Sequence, residues 1–410
     1  MSTSKVRPPR SGDPYGLGPV GSWLAPILSV VGLIVVAIVT LSLLGGEVPF
    51  GIGSGSGNGN GAGNGGPSRT AAPSNVVVVP DEAAFDGSII YAKGGNIWLQ
   101  TDADGARQVT TDGHDSMPSW SPDGQWIYFI RSASEQGRWP VQGTPETYTL
   151  AVPLLMRVHP DGSGEEQLAT GLFKRDGFTY AYWIRQPVIA PDDSRLAVVS
   201  DAPNPDQSTV VLQFLDPETG KLSSAKMETN GVLGHQDPEW RPDGKFLLYV
   251  RNGRDGSRGA PVIMRYNVAR KTARALTGFG YLNPAYSRDG RYIAATKTSA
   301  FGTNVVILDG ETGQELLRVT DDGASWAPTW SPAGDGVAFL HLDGQTVDLR
   351  LAKLDGAAPT WTVSETIDLT EVSDLGPESR PDWFIPEDQL PALPTPTPAA
   401  SAPAAGSPAP

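Results

Sequence analysis

The sequence predicts an all-β protein in which repeated four-stranded sheets form a six-bladed β-propeller closed by its N- and C-terminal strands. Three observations support this fold: one phrase recurs six times, alternating β-type patterns separate its copies, and the two ends carry incomplete repeats that complement each other. The clearest copy, at 118–124, is Pro-Ser-Trp-Ser-Pro-Asp-Gly. It predicts a short strand, a tight turn and a returning strand.

The phrase returns at intervals of 44 to 69 residues, a spacing typical of propeller blades. Its other copies begin at Pro187, Pro238, Pro284, Pro328 and Pro381. Between them, Val, Ile, Tyr, Phe and Trp occur in short alternating runs separated by Asp- and Gly-rich turns, which favours β-strands. The most regular copy predicts strands A to D at 283–286, 291–297, 304–308 and 315–319. Four strands per repeat are typical of one blade.

The incomplete repeats predict how the ring closes. Residues 88–109 contain patterns for strands B, C and D without a strand A before them, whereas 380–385 resemble a strand A without the other three. If these segments pair, they complete a sixth blade and leave no exposed sheet edge. The repeat tryptophans recur in register and are therefore predicted to pack between blades: Trp120, Trp240, Trp330 and Trp383.

The N-terminal region predicts a membrane anchor. Residues 23–44 are almost wholly apolar and uncharged, long enough for a helix to cross a hydrocarbon core of about 30 Å. Three basic residues precede this segment and the next basic residue is Arg69. The positive-inside rule therefore assigns 1–22 to the cytoplasm and the ring to the outside of the cell membrane. A cleaved signal peptide is the alternative, although its apolar region would normally be shorter.

The remaining segments divide the chain by composition. Residues 45–85 are a Gly-rich linker and lead-in, 86–385 form the predicted ring, and 386–410 are a Pro/Ala-rich tail expected to be extended and solvated. A formal charge of −14 argues against a nucleic-acid partner, and the absence of cysteine excludes disulfides and thiolate metal sites. We predict no cofactor and no bound metal, and expect the ring to be monomeric.

Two short clusters are candidates for the centre of the ring. They are His114 with Asp115, and His235 with Asp237, and each lies next to a predicted strand A, where loops face the central opening. A metal site would need three or more such ligands. The two histidines do not occupy equivalent positions in their repeats, so loop hydrogen bonding is favoured over metal binding.

Two insertions interrupt the regular spacing, at 132–147 and 171–185. The first lies in a B–C connection and the second in a D–A connection, and both kinds of connection emerge on the same rim of a ring. Long loops often carry function, and aromatic and Arg residues are favoured at binding hot spots. The insertions supply Arg138, Trp139, Phe178, Tyr180, Tyr182 and Trp183 as candidate ligand-binding residues. The alternative is that they merely pack on the ring and plug its opening.

The repeated Pro-x-Trp-Ser-Pro-Asp-Gly phrase followed by a β-strand resembles the repeat of TolB-type, WD40-like propellers. The resemblance covers about 86–385 and implies a six-bladed ring that binds proteins, peptides or cell-envelope components. Similar propellers sit beside the hydrolase domains of prolyl oligopeptidase and dipeptidyl-peptidase relatives. The chain differs from TolB in its predicted anchor and in lacking a recognisable mixed α/β domain before the ring, so the usual TolB partners are not implied.

The sequence therefore predicts a non-catalytic, extracytoplasmic binding or scaffold module tethered to the membrane. Its expected ligand is a protein, a peptide or a cell-envelope polysaccharide on the rim that carries the insertions. Two alternatives stay open. One is a lyase or hydrolase that acts in the channel with His114, His235 and nearby Asp residues. The other is a structural envelope spacer whose Pro-rich tail reaches into the wall.

Overall fold

A computed structural model describes residues 84–141, 144–175, 177–202, 210–225, 234–252 and 261–393. Within them the regular structure is β, apart from one short 3-10 helix, Glu387–Gln389. The strands form six sheets, which confirms the predicted six-bladed, all-β ring. The helix predicted at 23–44 lies outside the described residues. Among those described, no helix is long and apolar enough to cross a membrane.

The strands follow one another blade by blade. Blade 6 receives β1 (Ser88–Lys93), β2 (Asn96–Thr101) and β3 (Gly105–Gln108). Blade 1 contains β4 (Asp115–Trp120), β5 (Ile127–Val141), β6 (Thr144–Val158) and β7 (Glu166–Thr170), joined by an extra hairpin, β8 (Leu172–Arg175) and β9 (Phe178–Ala181). Blade 2 contains β10 (Arg185–Ile189), β11 (Leu196–Ser200), β12 (Val211–Leu215) and β13 (Leu222–Ser224).

The remaining blades repeat the regular pattern of four antiparallel strands. Blade 3 contains β14 (His235–Trp240), β15 (Phe246–Arg251), β16 (Val262–Asn267) and β17 (Thr272–Ala275). Blade 4 contains β18 (Tyr281–Tyr286), β19 (Tyr292–Ser299), β20 (Gly302–Asp309) and β21 (Glu315–Arg318). Blade 5 contains β22 (Ser325–Trp330), β23 (Gly336–Asp343), β24 (Thr346–Asp355) and β25 (Thr362–Asp368), after which β26 (Asp382–Phe384) returns to blade 6.

The ring closes through strands from its two ends. Strand β26 pairs antiparallel with β1, so that Trp383 lies opposite Ile89. The Trp383 indole also donates a hydrogen bond of 2.8 Å to the Asp86 carbonyl. The predicted closure is confirmed, and blade 6 has the same strand order as the regular blades.

The hydrophobic core is divided into six clusters, one at each boundary between adjacent blades. The residue two positions after each repeat proline packs into the boundary with the preceding blade. These residues are Trp120, Ile189, Trp240, Tyr286, Trp330 and Trp383. The four tryptophans are buried, which confirms the prediction that they pack between blades.

The ring has two rims that differ in their connections. We call the rim with the B–C and D–A connections the insertion rim, and the rim with the A–B and C–D connections the turn rim. The Ala84 amide donates to Asp102 in the β2–β3 turn at 2.6 Å. Arg288, in the A–B turn of blade 4, donates to the Pro391 carbonyl at 2.7 Å. Both ends of the described ring therefore lie at the turn rim.

The two insertions form one projection on the insertion rim. Strands β5 and β6 each contain 15 residues, whereas the other B and C strands contain five to ten. Their pairing continues to Val141 opposite Thr144, and Arg138 of β5 also pairs with Thr179 of β9. We call residues 132–152 together with β8 and β9 the crest. The expectation that the insertions stand side by side is confirmed. They were expected as long loops, whereas the structure shows paired β-strands.

Candidate binding rim and central channel

The base of the crest is held by an aromatic cluster. The Phe173 and Tyr180 rings stack with centroids 5.1 Å apart, and Phe178 contacts Tyr180 edge-on at 6.3 Å. The Arg175 guanidinium lies 5.3 Å from the Tyr180 ring. Tyr182 packs on Phe173 and donates its hydroxyl to the Thr170 carbonyl at 3.2 Å. Phe178, Tyr180 and Tyr182, named as candidates from the sequence, thus pack the crest onto the ring.

Trp183 and Arg138 are the candidates that stay open to solvent. Trp183 is 51% exposed, and the Arg185 guanidinium lies 5.4 Å from its ring. Its backbone amide donates to Asp201 at 2.7 Å, which fixes the loop that carries it. The Arg138 side chain is exposed on β5. The Trp139 side chain lies outside the described part of the structure.

The candidates at the starts of strands A have structural partners. Asp115 is buried and accepts two hydrogen bonds from Arg131, at 2.7 and 2.9 Å. His114 is exposed, with Nδ1 3.2 Å from Asp112. His235 is buried, packs against Tyr249 with ring centroids 4.5 Å apart, and accepts the Leu212 amide at 3.1 Å.

The expectation that His114 and His235 converge at the central opening is therefore wrong. His235 pairs with Arg251 in a regular ladder, and this register turns its side chain into the layer between blades. Neither histidine lines the channel, whereas Asp237 does. Among the described residues, no group of three or more His, Asp or Glu is arranged to hold a metal ion.

The channel is lined by the bulged inner strands. The residue before the repeat proline has a positive φ in five blades: Met117, Gln186, Asp237, Asn283 and Ala327, at 44° to 55°. The strand register shifts at the same point in each of these blades. Such bulges redirect a side chain. With Pro377–Arg380 of the closing segment, these residues enclose a cavity of about 200 Å³.

A belt of hydrogen bonds joins neighbouring blades around this cavity. In each bond, a bulge-residue amide donates to a side chain of the preceding blade. The four bonds are Asp237 to Gln186 (2.9 Å), Asn283 to Asp237 (3.0 Å), Ala327 to Thr296 (2.9 Å), and Met117 to Ser379 (3.0 Å). Asp237 is further bound by the side-chain amides of Gln186 at 2.7 Å and Asn283 at 3.1 Å. Both of its carboxylate oxygens are therefore used within the ring.

A second layer of charges lies deeper on the axis. Arg380 donates to Glu239 at 2.7 Å and to the Pro284 carbonyl at 2.6 Å. Asp382 accepts the Trp120 amide at 2.8 Å, and Glu239 accepts the Tyr286 amide at 3.2 Å. Burial raises the pKa of Asp382 to about 6 even though Arg380 opposes the shift. Burial also raises the pKa of Asp237.

These carboxylates hold the blades together. Asp382, Glu239 and Asp237 each accept a main-chain amide from the innermost strand of the next blade, so their lone pairs satisfy donors of those strands. The mouth of the channel is bordered by Arg185, which bonds Glu378 of the closing segment at 3.0 Å. The channel wall is therefore polar, and most of its hydrogen-bonding groups named above already bond to other groups of the ring.

The exposed apolar side chains give the insertion rim a different character. Seven large apolar side chains of the described residues are exposed, and six of them lie on this rim. These six are Tyr148, Trp183, Phe279, Phe301, Leu342 and Val372; the seventh is Leu393. Phe301, at 93% exposure, forms the tip of the β19–β20 hairpin. Scattered exposed apolar residues are ordinary, but their confinement to one rim marks a binding surface.

Sequence reasoning missed five of these six residues: four lie in connections that were not identified as insertions, and Tyr148 lies one residue beyond the first insertion, 132–147. Phe279 and Phe301 stand in short loops, Leu342 is near the end of β23, and Val372 lies in the longer connection between β25 and β26. One signal was available: Phe279 is flanked by Gly278 and Gly280, in a turn where polar residues are the rule. A large apolar side chain in such a short turn is not buried by the turn itself, so its presence there indicates a surface contact.

Comparison with known proteins supports the fold. No model of a known protein family matches the chain. An uncharacterized protein of Agrobacterium fabrum is 28% identical over 144 residues, which span 34% of this chain and 41% of that protein. The uncharacterized peptidase YuxL of Bacillus subtilis is 29% identical over 136 residues, 33% of this chain and 20% of YuxL. The chain thus matches less than half the length of either relative.

Solved structures with a similar fold include a TolB protein. TolB from Acinetobacter baumannii superposes with a TM-score of 0.52 at 18% identity, covering 72% of this chain and 66% of that protein. This similarity confirms that the chain has the fold of a TolB-like propeller. At this level of identity it establishes the fold alone.

Proposed function

We propose that this chain is a non-catalytic binding module that recognises a protein or peptide through its insertion rim. The main observation in support is that six of the seven exposed large apolar side chains among the described residues lie on that rim. Aromatic and aliphatic groups held out in water stabilise a complex when a partner buries them. The turn rim has Leu393 as its exposed large apolar residue among those described.

The crest supplies a raised docking element for this partner. Arg138 of β5 pairs with Thr179 of β9, which braces the β5–β6 hairpin against the packed β8–β9 hairpin, and Trp183 and Arg138 stay accessible. A preorganised surface loses less conformational freedom on binding than a flexible loop. Trp and Arg are also the residue types most enriched among hot spots.

The proposal includes a tether. A single-pass helix at 23–44 with a cytoplasmic N-terminus would hold the ring outside the cell membrane. Both ends of the described ring lie at the turn rim, at Ala84 and Pro391. The first described residue of the ring thus lies on the rim opposite the proposed binding surface.

An enzyme acting in the channel is the second candidate. One observation favours it: Asp382, with its pKa raised to about 6, lies beside Arg380 and Glu239, and perturbed carboxylates are common in active sites. The binding function fits better because these carboxylates accept main-chain amides across blade boundaries. A substrate would have to compete with bonds that hold the ring together. The peptidase named among the relatives matches over 20% of its length, so its activity is no guide.

The experiment compares capture of envelope proteins by full-length variants. In the crest variant, Asn-Gly replaces residues 135–150, because a two-residue turn of this type fits between the paired residues Ser134 and Ala151. A second variant carries Trp183→Ala. The matched control is Leu393→Ala on the turn rim. We expect both rim variants to lose a captured protein that the control retains.

Several results would overturn the proposal. Equal capture by all three variants would reject the insertion rim, and loss with Leu393→Ala alone would assign binding to the turn rim. Capture of an envelope polysaccharide in place of a protein would keep the rim but change the ligand class. Circular dichroism of each variant verifies that the ring stays folded.

A further inference from the structure

Three exposed apolar residues lie on neighbouring connections of blades 4 and 5. They are Phe279, Phe301 and Leu342, which are 72%, 93% and 43% exposed. Main-chain hydrogen bonds link the segments that carry them. Thr298 donates to the Gly280 carbonyl at 2.8 Å, Thr303 to that of Gly323 at 3.0 Å, and Leu342 to that of Ala324 at 2.9 Å. The group therefore lies on one connected sector of the insertion rim.

Carboxylates lie within the same loops. Asp321 is 82% exposed and pairs with Arg318 at 3.1 Å, on the loop that bonds to the Phe301 hairpin. Asp343 is exposed and directly follows Leu342. Asp322 is on the same loop, but it accepts bonds from Ala324 and Ser325 and so serves the local fold. We call Phe279, Phe301, Leu342, Asp321 and Asp343 the blade 4–5 patch.

We infer that the blade 4–5 patch binds a basic, amphipathic segment of a partner protein. This inference rests on the proposed function and specifies the chemical character of the partner. The apolar face of such a segment covers Phe279 and Phe301, while its Lys or Arg side chains approach Asp321 and Asp343. Opposite charges at the edge of an apolar contact favour the correct partner and speed association. The chain's net charge of −14 adds to this attraction.

Two other occupants fit the patch less well. A second copy would bring the same carboxylates against each other, and like charges across an interface are costly. An anionic bilayer surface would repel Asp321 and Asp343 in the same way. Charge complementarity therefore selects a cationic partner.

The test uses the full-length chain and a defined probe. The probe is a fluorescent amphipathic peptide of about 14 residues with Leu on one helical face and Lys on the other. A matched peptide carries Glu in place of Lys. Anisotropy is measured for the natural chain, Phe279→Ser/Phe301→Ser, Asp321→Asn/Asp343→Asn, Trp183→Ala on the crest side, and Val372→Ser. Val372 is the control because it is 79% exposed on the same rim but outside the patch.

We expect the Lys/Leu peptide to bind and the Glu/Leu peptide not to bind. The double Phe variant should weaken binding by at least about tenfold, a loss of about 1.4 kcal/mol. The double Asp variant should weaken binding and reduce its dependence on salt. Val372→Ser should bind as the natural chain does. The substituted side chains are exposed, so the variants should fold normally.

Each contrary result overturns the inference in a recognisable way. Equal binding of both peptides, or binding unchanged in the double Phe variant, rejects the patch. Loss of binding with Trp183→Ala but not with the double Phe variant moves the site to the crest and leaves the proposed function intact. Absence of peptide binding rejects the inference of a basic partner. The proposed function is tested independently by the capture experiment with the insertion-rim variants.

Discussion

Trp383 lies opposite Ile89 in the antiparallel strand pair that joins the two ends of the ring. The Trp383 indole is buried between blades 5 and 6, where the Phe85 ring meets it edge-on at 5.6 Å. One side chain thus contributes both to the closure and to a blade boundary. Because each blade has its own small core, the ring depends on every boundary being filled.

Trp383→Ala should destabilise the ring at its closure. We expect a loss of about 3–5 kcal/mol in the free energy of unfolding, typical of a buried large aromatic residue. Denaturant unfolding followed by tryptophan fluorescence measures it, with Leu393→Ala as the exposed control. A loss below about 1 kcal/mol would show that the β26–β1 pair contributes little to stability.

The Asp382 carboxyl should contribute a fall in the free energy of unfolding as pH rises from about 4 to about 6. Burial raises the pKa of Asp382 from 3.8 to about 6, so the folded protein binds this proton more tightly than the unfolded chain. Stability falls with pH wherever the folded state holds more protons. At about 1.4 kcal/mol per pKa unit, the change is at most about 3 kcal/mol. Asp382→Asn keeps an acceptor for the Trp120 amide and should remove this part of the pH dependence. An identical slope in the variant would contradict the assignment.

Substitution of His235 and substitution of His114 should have different effects on the free energy of unfolding. His235→Ala removes a buried ring and the acceptor of the Leu212 amide, so we expect a loss of about 2–3 kcal/mol. His114→Ala alters an exposed side chain and should change stability by less than about 0.5 kcal/mol. Thermal unfolding of the two variants side by side measures the contrast. Similar losses would mean that the environment of one of them is misassigned.

The absence of cysteine makes the predicted topology directly measurable. Phe301→Cys introduces an exposed thiol on the insertion rim, and Ser4→Cys introduces one before the apolar segment. In intact cells, a membrane-impermeant maleimide should label the first variant, and the second only after lysis. Labelling of Ser4→Cys in intact cells would reverse the orientation.

The sequence predicted the ring well because the ring is encoded locally and repeatedly. Each blade carries its own strand pattern and turn, and each repeat tryptophan occupies the same position. The pairing of segment 380–385 with 88–109 could therefore be predicted from the sequence, and the structure places Trp383 opposite Ile89. The missing strand A at one end and the solitary strand at the other left one solution without an open edge.

The parts that were not predictable depend on register and on contacts distant in sequence. A bulge before five of the six repeat prolines decides whether a side chain faces the axis or a neighbouring blade, which is why Asp237 reaches the channel and His235 does not. The crest contains Pro140 opposite Pro145, and prolines argue against a strand. The pairing of β5 with β9 joins residues about 40 positions apart and has no signal in the local sequence pattern.

Site-specific photocrosslinking in intact cells tests the central claim most directly. A photoreactive phenylalanine analogue is placed singly at Trp183 and Phe301 on the insertion rim, and at Leu393 on the turn rim, all of which are exposed. We predict that the two rim positions crosslink to a protein and that Leu393 does not. Adducts from Leu393 alone, or the same adducts from all three positions, would contradict the assignment of the insertion rim as the binding surface.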